Sequence, residues 1–317
     1  MKKLIIIGLF FISIGTVNAQ ILFETKEKIG RAADGNGNPL NPPFELKVQE
    51  YSKIEGLFNK FKDDEWLQFG YPQNGCQYRA HTLARVLKEH GIEANKIWTF
   101  KPSLLGDEDQ SDLTIPDPNF PGDTVIWNYH VAPVVKVQMP GNAIDTLVLD
   151  PSLFDELVPY RTWLQKINNP KQYYTFVNAE YVDFEDLNEK TLDGTWYTEG
   201  YTIDKKWIPT NLCQGRIFHI YIQNEVLPIR KRMDEINAKL SGSNAIARHQ
   251  YALSMELEHL TKIYKARKKL ATSSYLFGEL PSEYQSMFIS CQEYQMECIY
   301  YYWGNIQPGQ ATYKCKF

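Results

Sequence analysis

The sequence predicts an α+β fold in which a helix that starts at a cysteine packs on an antiparallel sheet, followed by a C-terminal helical extension. Three observations carry this. Ala80, Leu83, Ala84 and Leu87 recur at the spacing of one helix face, directly behind Tyr71-Pro72-Gln73-Asn74-Gly75-Cys76. Two alternating segments, Tyr129 to Gln138 and Ile144 to Asp150, flank Met139-Pro140-Gly141-Asn142 and read as a β-hairpin. Beyond Pro228 the chain becomes rich in Lys, Arg and Glu with helical periodicity.

In chain order, residues 1–19 read as a signal peptide. Lys2 and Lys3 form its charged start, Leu4 to Ile14 its apolar run, and Val17-Asn18-Ala19 its small-residue cleavage site. Nothing else approaches a membrane span, so the expected product is exported, periplasmic or extracellular, and free of the membrane after cleavage. Residues 20–45 are expected to form an extended leader. Within it Asp34, Asn36, Asn38 and Glu45 mimic calcium-loop positions, but Pro39 stands where the sharp turn needs Gly, so a polar turn is the better reading.

Helices are expected over Val48 to Phe61 and Cys76 to His90, the second with Arg79, Arg85, Lys88 and Glu89 outward and Gly91 as its stop. A strand near Lys96 to Lys101 precedes an acidic loop, residues 106–122. Its Asp107, Glu108, Asp109 and Asp112 read as a solvated surface rather than a cation site. After the hairpin, Tyr173 to Val177, Gly194 to Tyr201 and Arg216 to Ile222 look strand-like. Residues 229–273 look like a helical hairpin broken at Ser241-Gly242-Ser243, with Lys262, Lys265, Arg267, Lys268 and Lys269 as its solvated face. The catalytic domain is expected over residues 46–225 and a helical, cysteine-containing region over 226–317.

A net charge of −4 over 317 residues gives no reason to expect nucleic acid. No HExxH, paired CxxC or phosphate loop occurs, so no metal, nucleotide or other cofactor is expected. Cysteine parity is more informative. Of Cys76, Cys213, Cys291, Cys298 and Cys315, four lie in the C-terminal third. In an oxidising compartment an odd count leaves one thiol over, and Cys76 stands alone. If residues 291–298 are helical, Cys291 and Cys298 lie about 10 Å apart, beyond disulfide reach. Each then pairs elsewhere, and Cys213 is expected to staple the tail to the core.

Cys76 has the setting of a nucleophile, because unpaired N–H groups and the dipole at a helix start favour an anion. A nucleophile needs a base and an orienter. With the hairpin turn centred near Pro140, opposed residues have indices summing to about 280. That register puts His130 opposite Asp150 on one face, with Cα atoms about 4.5–5.5 Å apart. The other histidines are weaker candidates: His81 points away from the thiol, His90 caps the helix, His219 falls in an expected strand, and His249 and His259 belong to the tail.

The chain resembles the secreted bacterial protein-glutaminases at Gly70-Tyr71-Pro72 through Gly75-Cys76, Arg79-Ala80-His81, Trp127-Asn128-Tyr129-His130-Val131-Ala132 and Asp150-Pro151-Ser152-Leu153-Phe154, and more faintly at Asn211-Leu212-Cys213. The resemblance implies a transglutaminase/papain-like core with Cys76 as nucleophile, His130 as acid/base and Asp150 as orienter. It implies deamidation of a glutamine side chain in a protein or peptide through a thioester, with the Cys76 N–H holding the oxyanion and Gln73 or Gln77 as an added donor. The family's long inhibitory pro-segment has no counterpart in residues 20–45, whereas residues 226–317 follow the domain. The same residues would also serve a transglutaminase or a cysteine protease, and a non-catalytic exported binding module is the reading outside enzymes. Oligomeric state is not legible.

Overall fold

The computed structural model describes residues 26–27, 32–34, 44–64, 67–105, 107–180, 196–198, 207–241 and 247–302. In chain order it forms β1 (Lys26–Glu27), β2 (Ala32–Asp34), β3 (Val48–Glu50), α1 (Tyr51–Lys62), α2 (Cys76–Glu89) and β4 (Asn95–Phe100). The middle of the chain gives β5 (Leu113–Pro116), β6 (Thr124–Trp127), β7 (Tyr129–Gln138), β8 (Ile144–Val148), β9 (Val158–Pro159), α3 (Tyr160–Lys166), β10 (Tyr173–Asn178) and β11 (Trp196–Thr198). Helices α4 (Trp207–Tyr221), α5 (Leu227–Ser241), α6 (Ala247–Ala271) and α7 (Ser282–Tyr302) complete it. The signal peptide, most of the calcium-like turn, the side chain of Cys298 and all of Cys315 lie outside the described residues.

The expected α+β architecture is present. The main sheet runs β1-β10-β4-β7-β8-β9, with β3 against the far half of β7. It is antiparallel apart from two short parallel pairings, β1 on β10 and β3 on β7. Central β7 is buried along most of its length, and its alternation sorts residues between the two sheet faces. Val135, Val137, Leu147 and Leu149 pack with Ile54, Phe58 and Phe61 of α1 and Leu83 and Leu87 of α2. Ala132, Val134 and Val148 pack on the opposite side with Trp163 and Leu164 of α3.

The hairpin register corrects the arithmetic from sequence. Val134 opposes Val148 and Gln138 opposes Ile144, an index sum of 282. The turn is centred one residue later than expected. Asn142 N–H donates to Met139 O at 3.0 Å, and Gly141 and Asn142 both take positive φ, 90° and 70°. A shift of two in the sum preserves parity, so His130 and Asp150 keep a common face as diagonal rather than direct neighbours. The ladder ends where Leu149 N–H donates to Pro133 O at 3.0 Å. Pro133 has no N–H to return, so the two chains can part there and Asp150 enters a turn.

Three further expectations are corrected. Residues 216–222 are helical in α4 and the π turn that follows over Ile222–Val226, so His219 sits on a helix. Ile217, Phe218, Tyr221 and Ile222 are all buried, at the i, i+1, i+4, i+5 spacing of a helix covered on a wide face. A short apolar run of this kind suits a strand equally well in sequence. Arg79 is not outward but 4% exposed. The basic stripe of α6 is only partly solvated: Lys262, Lys265 and Lys269 are exposed, while Arg267 pairs with Glu225 and Lys268 with Asp123.

The expected helical hairpin is present as α5 and α6, joined by an Arg232–Glu256 bridge at 2.8 Å. Cys213 of α4 bonds Cys291 of α7, with Cα atoms 5.7 Å apart, and Gln292 Nε2 donates to Thr210 Oγ1 at 2.8 Å beside them. Cys76 is the free cysteine among the described residues. Because the disulfide closes a loop of 78 residues, its loss frees a large denatured ensemble. Replacing both Cys213 and Cys291 by Ala is expected to remove about 2–5 kcal/mol of stability, read as a lower denaturant midpoint under non-reducing conditions.

Candidate active site

The segment in front of α2 is fixed by side chains from distant parts of the chain. Asn119 Nδ2 donates to Gly70 O at 2.7 Å, Trp127 Nε1 to Pro72 O at 2.9 Å, and Gln73 Nε2 to Asp117 Oδ2 at 3.0 Å. Tyr71 stacks on Phe218 of α4 at 5.3 Å, and its hydroxyl donates to Ala271 O at 3.1 Å at the end of α6. A Cβ at Gly70 would lie 2.5 Å from His219 Cε1, so a larger residue there would force the His219 ring to shift. Gly75 caps α2 with φ +80°, a left-handed conformation that other residues adopt at a cost. Its N–H donates to Asn74 Oδ1 at 2.7 Å, and its carbonyl accepts the first helical bond from Arg79 N–H at 3.1 Å. Cys76 follows at the first helical position, 7% exposed.

Cys76, His130 and Asp150 line one small cavity with Arg79 and Ser152. His130 Nε2 lies 2.8 Å from Asp150 Oδ2, and the residues are 1% and 5% exposed. Asp150 Oδ2 also accepts from Trp163 Nε1 at 2.7 Å. Its Oδ1 accepts from the Ser152 hydroxyl at short range and from Ser152 N–H at 3.2 Å. The His130 ring stacks against two indoles, Trp127 at 4.2 Å and nearly parallel, and Trp163 at 5.5 Å. With Nε2 committed to Asp150, the buried Nδ1 has no full hydrogen-bond partner. Besides Asp150, the Cys76 thiol is the group that favours the protonated ring.

The electrostatics follow from this packing. Burial alone would lower the His130 pKa, but the charge and hydrogen bond of Asp150, with a smaller contribution from Cys76, raise it to about 9. Burial would raise the Asp150 carboxyl, yet His130, Ser152 and Trp163 hold it below the ordinary range. An imidazolium stacked against indole faces gains further from their quadrupoles. The cluster can therefore hold a protonated imidazole beside a thiol at neutral pH.

Sequence reasoning named Cys76, His130 and Asp150, and they converge here. It missed Ser152, although Asp-Pro-Ser is a turn in which a side-chain carboxylate accepts from the residue two positions on. It also missed Trp127 and Trp163 as walls for the imidazole, and Trp163 has no local signal at all. Of the two glutamines, Gln73 Nε2 donates to Asp117 Oδ2, and Gln77 Oε1 accepts a long 3.6 Å contact from Cys76 Sγ. His81 is buried against Lys96 Nζ at 3.2 Å, and burial, then Lys96, holds its pKa well below the usual value. In the acidic loop Asp107 accepts from the Tyr173 hydroxyl, Asp109 pairs with Lys171 at 2.6 Å and Asp112 with Lys101 at 3.2 Å. Those charges are spent on fixing the loop.

Residues 54–167, which include all three site residues, match a family model described as Glutaminase. No curated protein matches the chain. Among solved structures it is similar to a pro-protein-glutaminase, at 18% identity over 61% of this chain and 63% of that one, with a TM-score of 0.42. It is also similar to the protein-glutaminase from Chryseobacterium proteolyticum, at 17% identity over 55% and 89% of the two chains with a TM-score of 0.38. A further protein-glutaminase structure is 18% identical over 56% and 91%, with a TM-score of 0.41. The resemblance read from the sequence is thus borne out by the family match.

The raised His130 pKa gives a signed expectation. A folded value of about 9 against an ordinary 6.5 means that the folded state binds this proton more tightly than the unfolded chain. The resulting stability is complete below about pH 6.5 and is lost as pH rises through about 9. NMR of the His130 ring should show a midpoint near 9, and Asp150→Asn should move it downward by removing the paired charge. A midpoint unchanged by Asp150→Asn would contradict the assigned cause.

Proposed function

We propose that this chain is an exported protein-glutaminase that converts glutamine side chains of proteins or peptides to glutamate. Cys76 is the nucleophile, His130 the acid/base and Asp150 the orienter. The observation that carries the reading is the buried His130–Asp150 couple beside a thiol at a helix start, inside the segment that matches the glutaminase family. Export is supported by the N-terminal sequence pattern and by the Cys213–Cys291 disulfide.

The reaction uses this chain's residues alone. The Cys76 sulfur bonds to the side-chain amide carbon, and the displaced electron pair moves to the amide oxygen, which the N–H groups at the α2 start can face. As the oxyanion collapses, the carbon–nitrogen bond breaks and the nitrogen takes the His130 proton, leaving as ammonia. Water then gives a proton to His130 while attacking the thioester. The carbon–sulfur bond breaks, releasing glutamate and restoring the ion pair. A raised His130 pKa suits the first half, because the leaving nitrogen needs a proton already in place.

The depth of the thiol favours a side-chain amide. With Cys76 only 7% exposed, an amide at the end of a flexible side chain reaches the sulfur more readily than a backbone peptide bond. The test is ammonia release from casein or a glutamine peptide, with mass spectrometry of the product. Wild type should release ammonia and yield the amide-to-acid mass change. Cys76→Ala should abolish both, and His130→Ala should lower the rate by about 10³-fold or more. Cross-linked peptides would mean transamidation and new N-termini would mean proteolysis; no reaction with an intact wild-type thiol would remove the enzymatic reading.

A further inference from the structure

The geometry points to Arg79 as a positioning residue that holds the Cys76 turn and sets a fixed positive charge behind the thiol. This rests on Cys76 being the nucleophile. Arg79 is 4% exposed and lines the same cavity as Cys76, His130 and Asp150. Its Nη1 donates to Asn74 O at 2.8 Å, so the guanidinium grips the residue preceding the left-handed Gly75. On its other side Phe69 lies 5.9 Å from the guanidinium carbon. Nη2 is buried with no hydrogen-bond partner.

That arrangement is costly unless the charge has a use, because a buried cation loses its hydration. No carboxylate among the described residues forms a close ion pair with Arg79. The nearby groups whose negative charge favours it are Cys76, Asp150 and Tyr71. Asp150 is already balanced by His130, whereas a Cys76 thiolate has the helix start, His130 and Arg79 around it. With Nη1 held by Asn74 O and Nη2 buried from solvent, Arg79 acts through Cys76 and the turn before it.

Two variants separate charge from grip. Arg79→Met removes the charge, and Arg79→Lys keeps a charge but loses the planar fork that spans to Asn74 O. The readout is iodoacetamide labelling of Cys76 across pH, with kcat and KM for ammonia release measured in parallel. Arg79→Met is expected to be labelled about tenfold more slowly at neutral pH, to recover at alkaline pH, and to lose kcat with little change in KM. Arg79→Lys should regain the wild-type labelling profile while kcat stays low. A folded Arg79→Met with a wild-type labelling profile would overturn the inference. If Arg79→Met does not fold, a folded Arg79→Lys whose labelling at neutral pH has fallen would overturn it equally. Labelling needs no substrate, so a failure to release ammonia in wild type counts against the enzymatic reading alone.

Discussion

The Asp150 carboxylate is the constraint on which this site depends. An ionised carboxylate taken out of water costs several kcal/mol unless its oxygens are filled. Here four donors fill them: His130 Nε2, Trp163 Nε1, and the hydroxyl and N–H of Ser152. Each bond also fixes something else. The Ser152 bonds close the turn that ends the hairpin. The Trp163 bond ties α3 to the sheet and sets one wall of the His130 slot. The His130 bond leaves Nδ1, not Nε2, for the thiol.

The strand ladder supplies the room for this. Antiparallel pairing between β7 and β8 would otherwise continue and commit the backbone of Asp150 to the sheet. Pro133 interrupts it by lacking a donor, after Leu149 has given its own N–H to Pro133 O. Asp150 O instead accepts from Leu153 and Phe154 N–H, both at 3.1 Å. The carboxylate is thereby placed at a turn held from both sides. A longer ladder would have kept the side chain on the right face but in a different surrounding.

Much of this was legible because it is local. The period of α2, the turn residues between β7 and β8, and the odd cysteine depend on neighbours in sequence, and they were read correctly. Parity survived the register error, so His130 and Asp150 stayed on one face even though the turn lies one residue later. The misread features depend on what arrives from elsewhere. Arg79 looks like a surface residue until α4 covers its side of α2. Residues 216–222 read as a strand because an apolar run buried on a wide helix face carries no clear period. Trp163 is invisible as a site residue because only the fold brings it to Asp150.

The C-terminal helices bear on Cys76 through packing against the segment in front of it. Tyr71, five residues before Cys76, is buried among Ile217, Phe218, Tyr221, Ala271, Leu280 and Tyr284. Its hydroxyl bond to Ala271 spans 200 residues of sequence. The Cys213–Cys291 disulfide then locks α4 to α7 behind that cluster. Among the described residues, none beyond 226 lines the cavity that holds Cys76. The C-terminal helices thus pack against the segment that carries the Cys76 turn. The left-handed Gly75 turn needs such support, since a loop free to relax would lose the alignment of the thiol with the His130 ring.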